Sequence, residues 1–175
     1  MGREILEHFA DQEDLEVVAL WEHPDHPDVV GKVLVNGLAV TTPFQSEAPV
    51  DVVVDFTNAQ GLANLLAAWT GSASLVSGST GISQETQEGL HKLALQTPVF
   101  HASNMSIGIA VLQQLLQTVA GKLDSQWDVE LVEMHHRRKI DAPSGTAASL
   151  VETLVECWPE KLTPVSGREG LVGER

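Results

Sequence analysis

From residue 15 onward, short β-branched runs alternate with longer segments of helical period, the pattern of a parallel sheet built with crossover helices. Strands are expected at 15–21, 51–56, 73–77 and 98–101. Between them, 59–69 and 84–95 repeat apolar residues at helical spacing, with Thr57 and Ser83 standing where N-caps belong. The stretch 21–36, rich in His, Pro and Asp, is expected to run over the surface. After Ser103 the character changes to a long apolar helix over 106–123, a strand over 127–136, a polar loop, and a helix from Ser144 to near Trp158. A boundary near Met105 divides an α/β domain over 1–105 from an α+β domain over 106–175.

Both ends depart from this scheme. Residues 1–10 read as a helix with no strand before it, although a doubly wound sheet normally opens on one, so a first strand is expected to be missing. Residues 167–175 are loop-like and stop without a closing element, so last strands are expected to be missing too.

Composition narrows the class. With 43% hydrophobic residues the chain can fill a core. No apolar run approaches the roughly 20 residues of a membrane span, and Met1-Gly2-Arg3-Glu4 lacks a signal-peptide pattern, so a soluble, cytoplasmic protein is expected. Cys157 is the sole cysteine, which excludes an intramolecular disulfide and a cysteine-based zinc site.

A formal charge of −14 argues against nucleic acid or an anionic membrane as partner. Against that background, His135, His136, Arg137, Arg138 and Lys139 form a dense cationic island. Such an island suits a small anionic ligand, or else a solvated loop balancing Glu130 and Glu133.

The segment 133–147 reads Glu-Met-His-His-Arg-Arg-Lys-Ile-Asp-Ala-Pro-Ser-Gly-Thr-Ala. Pro143, Ser144, Gly145 and Thr146 start a helix, whose open backbone N–H groups and partial positive charge make a site for a carboxylate. Gly145 allows close approach to the backbone, Ser144 and Thr146 add hydroxyl donors, and Lys139 supplies a point charge and a proton. A strand's period of two would point His135 and His136 to opposite faces.

This order of residues resembles the dihydrodipicolinate reductases, without a gap from Glu133 to Ala147. The resemblance implies that His135 is the general acid, that Lys139 assists protonation and binds substrate, and that His136, Ser144, Gly145 and Thr146 hold the substrate's carboxylates. An imidazole, with an ordinary pKa of about 6.5, can donate a proton near neutral pH. Arg138 stands where the family often has histidine.

Val53-Val54-Asp55-Phe56-Thr57 and Gly78-Ser79-Thr80-Gly81 sit where strands end, the binding edge of open α/β sheets. By resemblance, Phe56, Thr57, Gly78, Ser79, Thr80 and Gly81 contact a nicotinamide cofactor, Thr80 also reaching substrate, and Ser79 replaces a more usual threonine. Ser103-Asn104-Met105-Ser106 resembles the family's hinge, with Asn104 and Met105 near the cofactor and methionine in place of an aromatic residue. Met1-Gly2-Arg3 is similar to the end of the family's glycine-rich turn, which assigns Gly2 and Arg3 to the cofactor. Glu22 has the spacing of the acid that holds the adenine ribose. Gly167 to Gly170 and Gly173 to Arg175 resemble a segment preceding the substrate domain's last strands.

The implied fold is a Rossmann-like nucleotide-binding domain followed by a substrate and tetramerisation domain. The implied reaction is the reduction of 4-hydroxy-tetrahydrodipicolinate to tetrahydrodipicolinate by NADH or NADPH in lysine and diaminopimelate biosynthesis. The choice of nucleotide stays open, and a homotetramer is implied for the whole protein.

Two other classes compete. A metal hydrolase could use His135 or His136 with Asp141, but Arg137, Arg138 and Lys139 would repel a divalent ion, and no metal is expected. Residues 22–28, with two histidines and three acids, suit an exposed turn better than a metal site. The second alternative is a truncated, inactive relative acting as a binding or self-association module. His8, His91 and His101 read as surface or satisfied histidines, and Asp55 and Glu130, set in hydrophobic strands, are assigned no role.

Overall fold

The computed structural model describes the chain apart from residues 10, 25, 27–29, 35, 36, 43, 45, 47, 124, 125, 138, 140, 168, 169 and 172–175. Arg138, residues 25, 27 and 28 of the turn expected at 22–28, and the terminal Gly173, Glu174 and Arg175 therefore lie outside the described residues. In chain order the elements are α1 (Gly2–Phe9), β1 (Leu20–Trp21), β2 (Val40–Thr41), β3 (Val52–Asp55), α2 (Ala59–Ala67), β4 (Ser74–Ser77), α3 (Gln84–Ala94), β5 (Val99–His101), α4 (Ile107–Ala120), β6 (Asp141–Ala142), α5 (Gly145–Cys157) and β7 (Gly170–Leu171). They divide into two compact units, Met1–Ala102 and Ser103–Arg175.

The first unit is built on a parallel sheet in the order β3-β4-β5, with α2 and α3 as its connections. This is the α/β arrangement that the alternating pattern predicts. Burial alternates along β3: Val52 and Val54 are exposed, whereas Val53 and Asp55 point inward. Val53 and Leu75 from the strands meet Leu62, Leu90 and Leu93 from the helices, and this group forms the core. Leu62 and Leu75 are almost fully enclosed, so truncating either to Ala would cost about 2–5 kcal/mol.

Helix α3 is capped as expected, with Ser83 Oγ accepting Thr86 N–H at 3.2 Å. Helix α2 is not. Its N-cap is Asn58, whose Oδ1 accepts Gly61 N–H at 2.8 Å, because the Thr57 hydroxyl is turned back onto Asp55.

The strand expected at 15–21 is confined to Leu20 and Trp21. Its partner β2, which the sequence pattern did not suggest, offers only two residues of parallel register, Leu20 to Val40 and Trp21 to Thr41. Beside the main core Phe44 meets Trp21 at a tilt and stacks on Trp69, with ring centroids 4.4 and 5.7 Å apart.

In the second unit α4 packs on α5 around Ala120, Leu154 and Trp158. The strand expected at 127–136 is absent: among the described residues this segment joins no ladder. Period-two hydrophobicity is only half of what a strand needs; the other half is a neighbour that bonds its backbone. Val132 and Met134 are 83% and 87% exposed. The ladder that does form is the short antiparallel pair β6–β7, Asp141 opposite Leu171. The divergence of His135 and His136 by strand period therefore does not apply. No helix among the described residues is long and apolar enough to cross a membrane.

Candidate functional site

The chemistry-bearing residues fall into two groups, one in each unit. In the first unit they gather where β3 and β4 end. Asp55, the last residue of β3, is buried, yet its carboxylate is fully engaged. Its Oδ1 accepts the Thr57 backbone N–H at 3.0 Å and the Thr57 hydroxyl at 2.5 Å. Its Oδ2 accepts the hydroxyls of Ser77 at 2.6 Å and Ser79 at 2.7 Å. The turn after β3 and the turn after β4 are thus fastened to one side chain.

Ser79 is further held through its carbonyl, 2.8 Å from His101 Nε2 at the end of β5. His101 is accordingly the satisfied histidine the sequence suggested. Gly78 is constrained by Phe56, since a Cβ there would lie 2.7 Å from ring carbon Cδ1 and closer still to Cε1. Gly81 adopts a φ of 68°, a left-handed conformation that a side chain would strain. Thr57, Thr80 and Gly81 are exposed, Phe56 is half-buried, and Ser79 is wholly enclosed. Ser79, which the resemblance assigns to the cofactor, has its hydroxyl spent on Asp55 and no surface open to solvent.

These turns fit a dinucleotide. They lie at the carboxyl ends of adjacent parallel strands, they are lined by glycine and threonine, and the acid among them is enclosed and already bonded. Glu22 follows β1, half-buried, with its Oε1 accepting the His23 N–H at 2.7 Å. Gly2 and Arg3 occupy the exposed first turn of α1.

In the second unit the centre is Glu133. Its Oε2 is 2.8 Å from His135 Nε2, and its Oε1 accepts the Ser144 backbone N–H at 2.8 Å. Burial works to raise its pKa, but the hydrogen bonds from His135 and Ser144, with the charge of His135, prevail and hold it at about 2. Glu133 is therefore a carboxylate, so the ring's Nε2 carries the proton of their bond and Nδ1 is the nitrogen left over.

The first four N–H groups of a helix have no acceptor within it. At α5 that of Ser144 goes to Glu133, and that of Ala147 goes to Ser144 Oγ at 3.0 Å. Those of Gly145 and Thr146 remain to receive an anion. Ser144 acts as N-cap by accepting, and so keeps its hydroxyl proton. Thr146 Oγ1 likewise accepts, from Asn104 Nδ2 at 2.8 Å, while Asn104 Oδ1 receives the Ser106 N–H. Asn104 is thereby brought to the helix start, with Met105 exposed beside it. His136 is exposed, and its carbonyl accepts the Lys139 N–H at 3.2 Å, a turn that brings half-buried Lys139 back along the segment.

Sequence reasoning missed Asp55 and Glu133. The inward face of β3, shared by Val53 and Asp55, and the two-residue spacing of Glu133 and His135 were the available signals. Among the described residues no three His, Cys, Asp or Glu side chains converge as metal ligands.

The family model "Dihydrodipicolinate reductase, N-terminus" matches residues 1–105, and "Dihydrodipicolinate reductase, C-terminus" matches 108–172. The protein named 4-hydroxy-tetrahydrodipicolinate reductase of Nitrosomonas eutropha is 38% identical, over all of this chain and 69% of its own length. Its namesake from Nitrosomonas europaea is 36% identical over the same shares, and that of a Nitratiruptor species is 45% identical over 71% of this chain and 50% of its own. The solved structure of a dipicolinate-bound dihydrodipicolinate reductase from Paenisporosarcina superposes with a TM-score of 0.65 at 23% identity, covering 96% of this chain and 66% of that one. That likeness speaks for the fold. With two adjoining family models running from residue 1 to 172, and relatives matched along its whole length, the chain belongs to the dihydrodipicolinate reductase family.

Proposed function

We propose that this chain performs the reaction of its family, the NAD(P)H-dependent reduction of 4-hydroxy-tetrahydrodipicolinate to tetrahydrodipicolinate on the route to diaminopimelate and lysine. The observation that carries the reading is the bridge made by Glu133, which sets an imidazole and an anion-accepting helix start on the two oxygens of one carboxylate. A substrate that is both a dicarboxylate and an acceptor of hydride and proton needs those two groups together.

Residues 1–105 serve as the dinucleotide-binding domain and 106–175 as the substrate domain. The nicotinamide nucleotide supplies hydride when bound. Thr57, Thr80, Gly81 and the backbone around Gly78 receive it at the ends of β3 and β4, Phe56 and Ser79 support those turns, and Gly2, Arg3 and Glu22 hold the adenosine side. Asn104 and Met105 complete the cofactor's surroundings.

The N–H groups of Gly145 and Thr146 bind a substrate carboxylate, and the Ser144 and Thr146 hydroxyls donate to it. His136 and Lys139 add positive charge. His135, as the imidazolium, delivers the proton from Nδ1, the nitrogen that Glu133 does not hold, and keeps the one on Nε2. Placement in the cytoplasm and assembly as a homotetramer complete the reading.

The test is oxidation of NADH and of NADPH by the chain, followed by nucleotide absorbance, with the substrate generated in place by the preceding synthase. Oxidation that requires the synthase's product supports the reading. Tight binding of neither nucleotide and no turnover would leave the chain a non-catalytic member of its family.

A further inference from the structure

Asp55 is buried, and the reaction gives it no proton to move. Yet four donors converge on it, two at each oxygen. A buried carboxylate accepting four hydrogen bonds has every acceptor direction filled, so each donor's position is set by the others. Thr57 belongs to the turn after β3 and Ser79 to the turn after β4, and their hydroxyl oxygens stand 3.4 Å apart because both reach the same carboxylate.

The hydroxyl protons are committed as well. Thr57 Oγ1 is 2.5 Å from Asp55 Oδ1 but 3.3 Å from the Asn58 carbonyl, so its proton lies toward the acid. What exposed Thr57 then offers outward is lone pairs alone.

We propose that Asp55 is the positioning residue of the cofactor site: its carboxylate locks the two strand-end turns together and polarises Thr57 as an acceptor, so that the nucleotide meets it with a donor group, a ribose hydroxyl or a carboxamide N–H. This rests on the dinucleotide reading of the first unit. Ser77, wholly enclosed, is the brace that fills the last acceptor site without belonging to either turn.

The variants separate positioning from mere stability. Asp55→Ala leaves enclosed donors without an acceptor and unties both turns. Asp55→Asn keeps one oxygen for the two Thr57 donors, while its amide can donate to the serine oxygens. Ser77→Ala removes the brace alone.

The experiment titrates NADPH and NADH into each full-length variant, reading energy transfer from tryptophan to the reduced nicotinamide well below every variant's melting temperature, with Tm measured in parallel. Expected is a Kd raised roughly tenfold or more by Asp55→Ala, an intermediate rise for Asp55→Asn, and a smaller one for Ser77→Ala, in that order. Lowered Tm with unchanged Kd across the series would make Asp55 purely structural and overturn the proposal. Should Asp55→Ala not fold, the order of Asp55→Asn and Ser77→Ala against the parent decides it, and equal Kd values sink it. Failure of the parent chain to bind either nucleotide would instead overturn the dinucleotide reading, and this inference with it.

Discussion

Glu133 accepts the backbone N–H of Ser144, eleven positions further along the chain, at 2.8 Å. This bond fastens a segment that joins no sheet, residues 127–136, to the first turn of α5. Its other oxygen takes His135. The spacing of the proposed acid from the proposed carboxylate site is thus set by a side chain rather than by a strand ladder.

The first prediction concerns acid stability. Glu133 has its pKa lowered from 4.5 to about 2 in the folded chain. A depressed carboxylate pKa means that its ionised form stabilises the fold fully above the unfolded value, and that this contribution fades as pH falls toward the folded one. Glu133→Gln should therefore melt below the parent near neutral pH, with the gap closing between about pH 4.5 and 2. Thermal unfolding of both proteins across that range checks it. A gap that stays constant down to the lower limit would show that the charge is not what Glu133 contributes.

His135→Gln should lower kcat by about a hundredfold or more, the usual size of a lost general acid, while leaving the substrate KM nearly unchanged. Steady-state kinetics at saturating nucleotide reads both. Equal losses in kcat and in affinity would assign His135 to binding.

Thr146→Ala and Ser144→Ala should differ, although both residues were expected simply to hold substrate. Ser144 Oγ caps α5 through Ala147, so its loss should cost about 1 kcal/mol of stability in addition to a raised substrate KM. Thr146 Oγ1 caps nothing and only accepts from Asn104. Its loss should raise KM with a smaller change in Tm. Equal Tm values in the two variants would argue against the cap.

The contrast between what was and was not legible in the sequence follows from range. Strands β3, β4 and β5 and helices α2 to α5 were readable within a residue or two, and the end of α4 within three, because burial of a periodic apolar face is a local property. The expected strand at 127–136 was not realised, since pairing depends on a partner that local pattern does not contain. Thr57 matched the composition of an N-cap and lost the position to Asn58, because Asp55 drew its hydroxyl inward. The motif residues His135, Lys139 and Ser144 announced themselves by type and order. Asp55 and Glu133 act through hydrogen bonds to other side chains, and an acid in a hydrophobic run gives no sign of whether donors await it.

Gly78→Ala tests the same turn from its apolar side. A methyl group there would lie 2.7 Å from Phe56 Cδ1 and nearer still to Cε1, a separation no carbon pair sustains, so either the ring or the turn must move. Ring movement would disturb the residue that precedes Thr57, and turn movement would drag Ser79 from Asp55. Either route should destabilise the protein by about 1–3 kcal/mol and weaken nucleotide binding more than substrate binding. Gly61→Ala provides the comparison, because its added carbon would meet the Thr57 side chain at 2.5 Å and not the Phe56 ring. Both variants should therefore impair nucleotide binding, but only Gly78→Ala should alter the packing of Phe56, which the aromatic ring signals in proton NMR spectra would report. A Gly78→Ala protein with parent-like ring signals and parent-like nucleotide affinity would show that this turn has room the described packing does not allow.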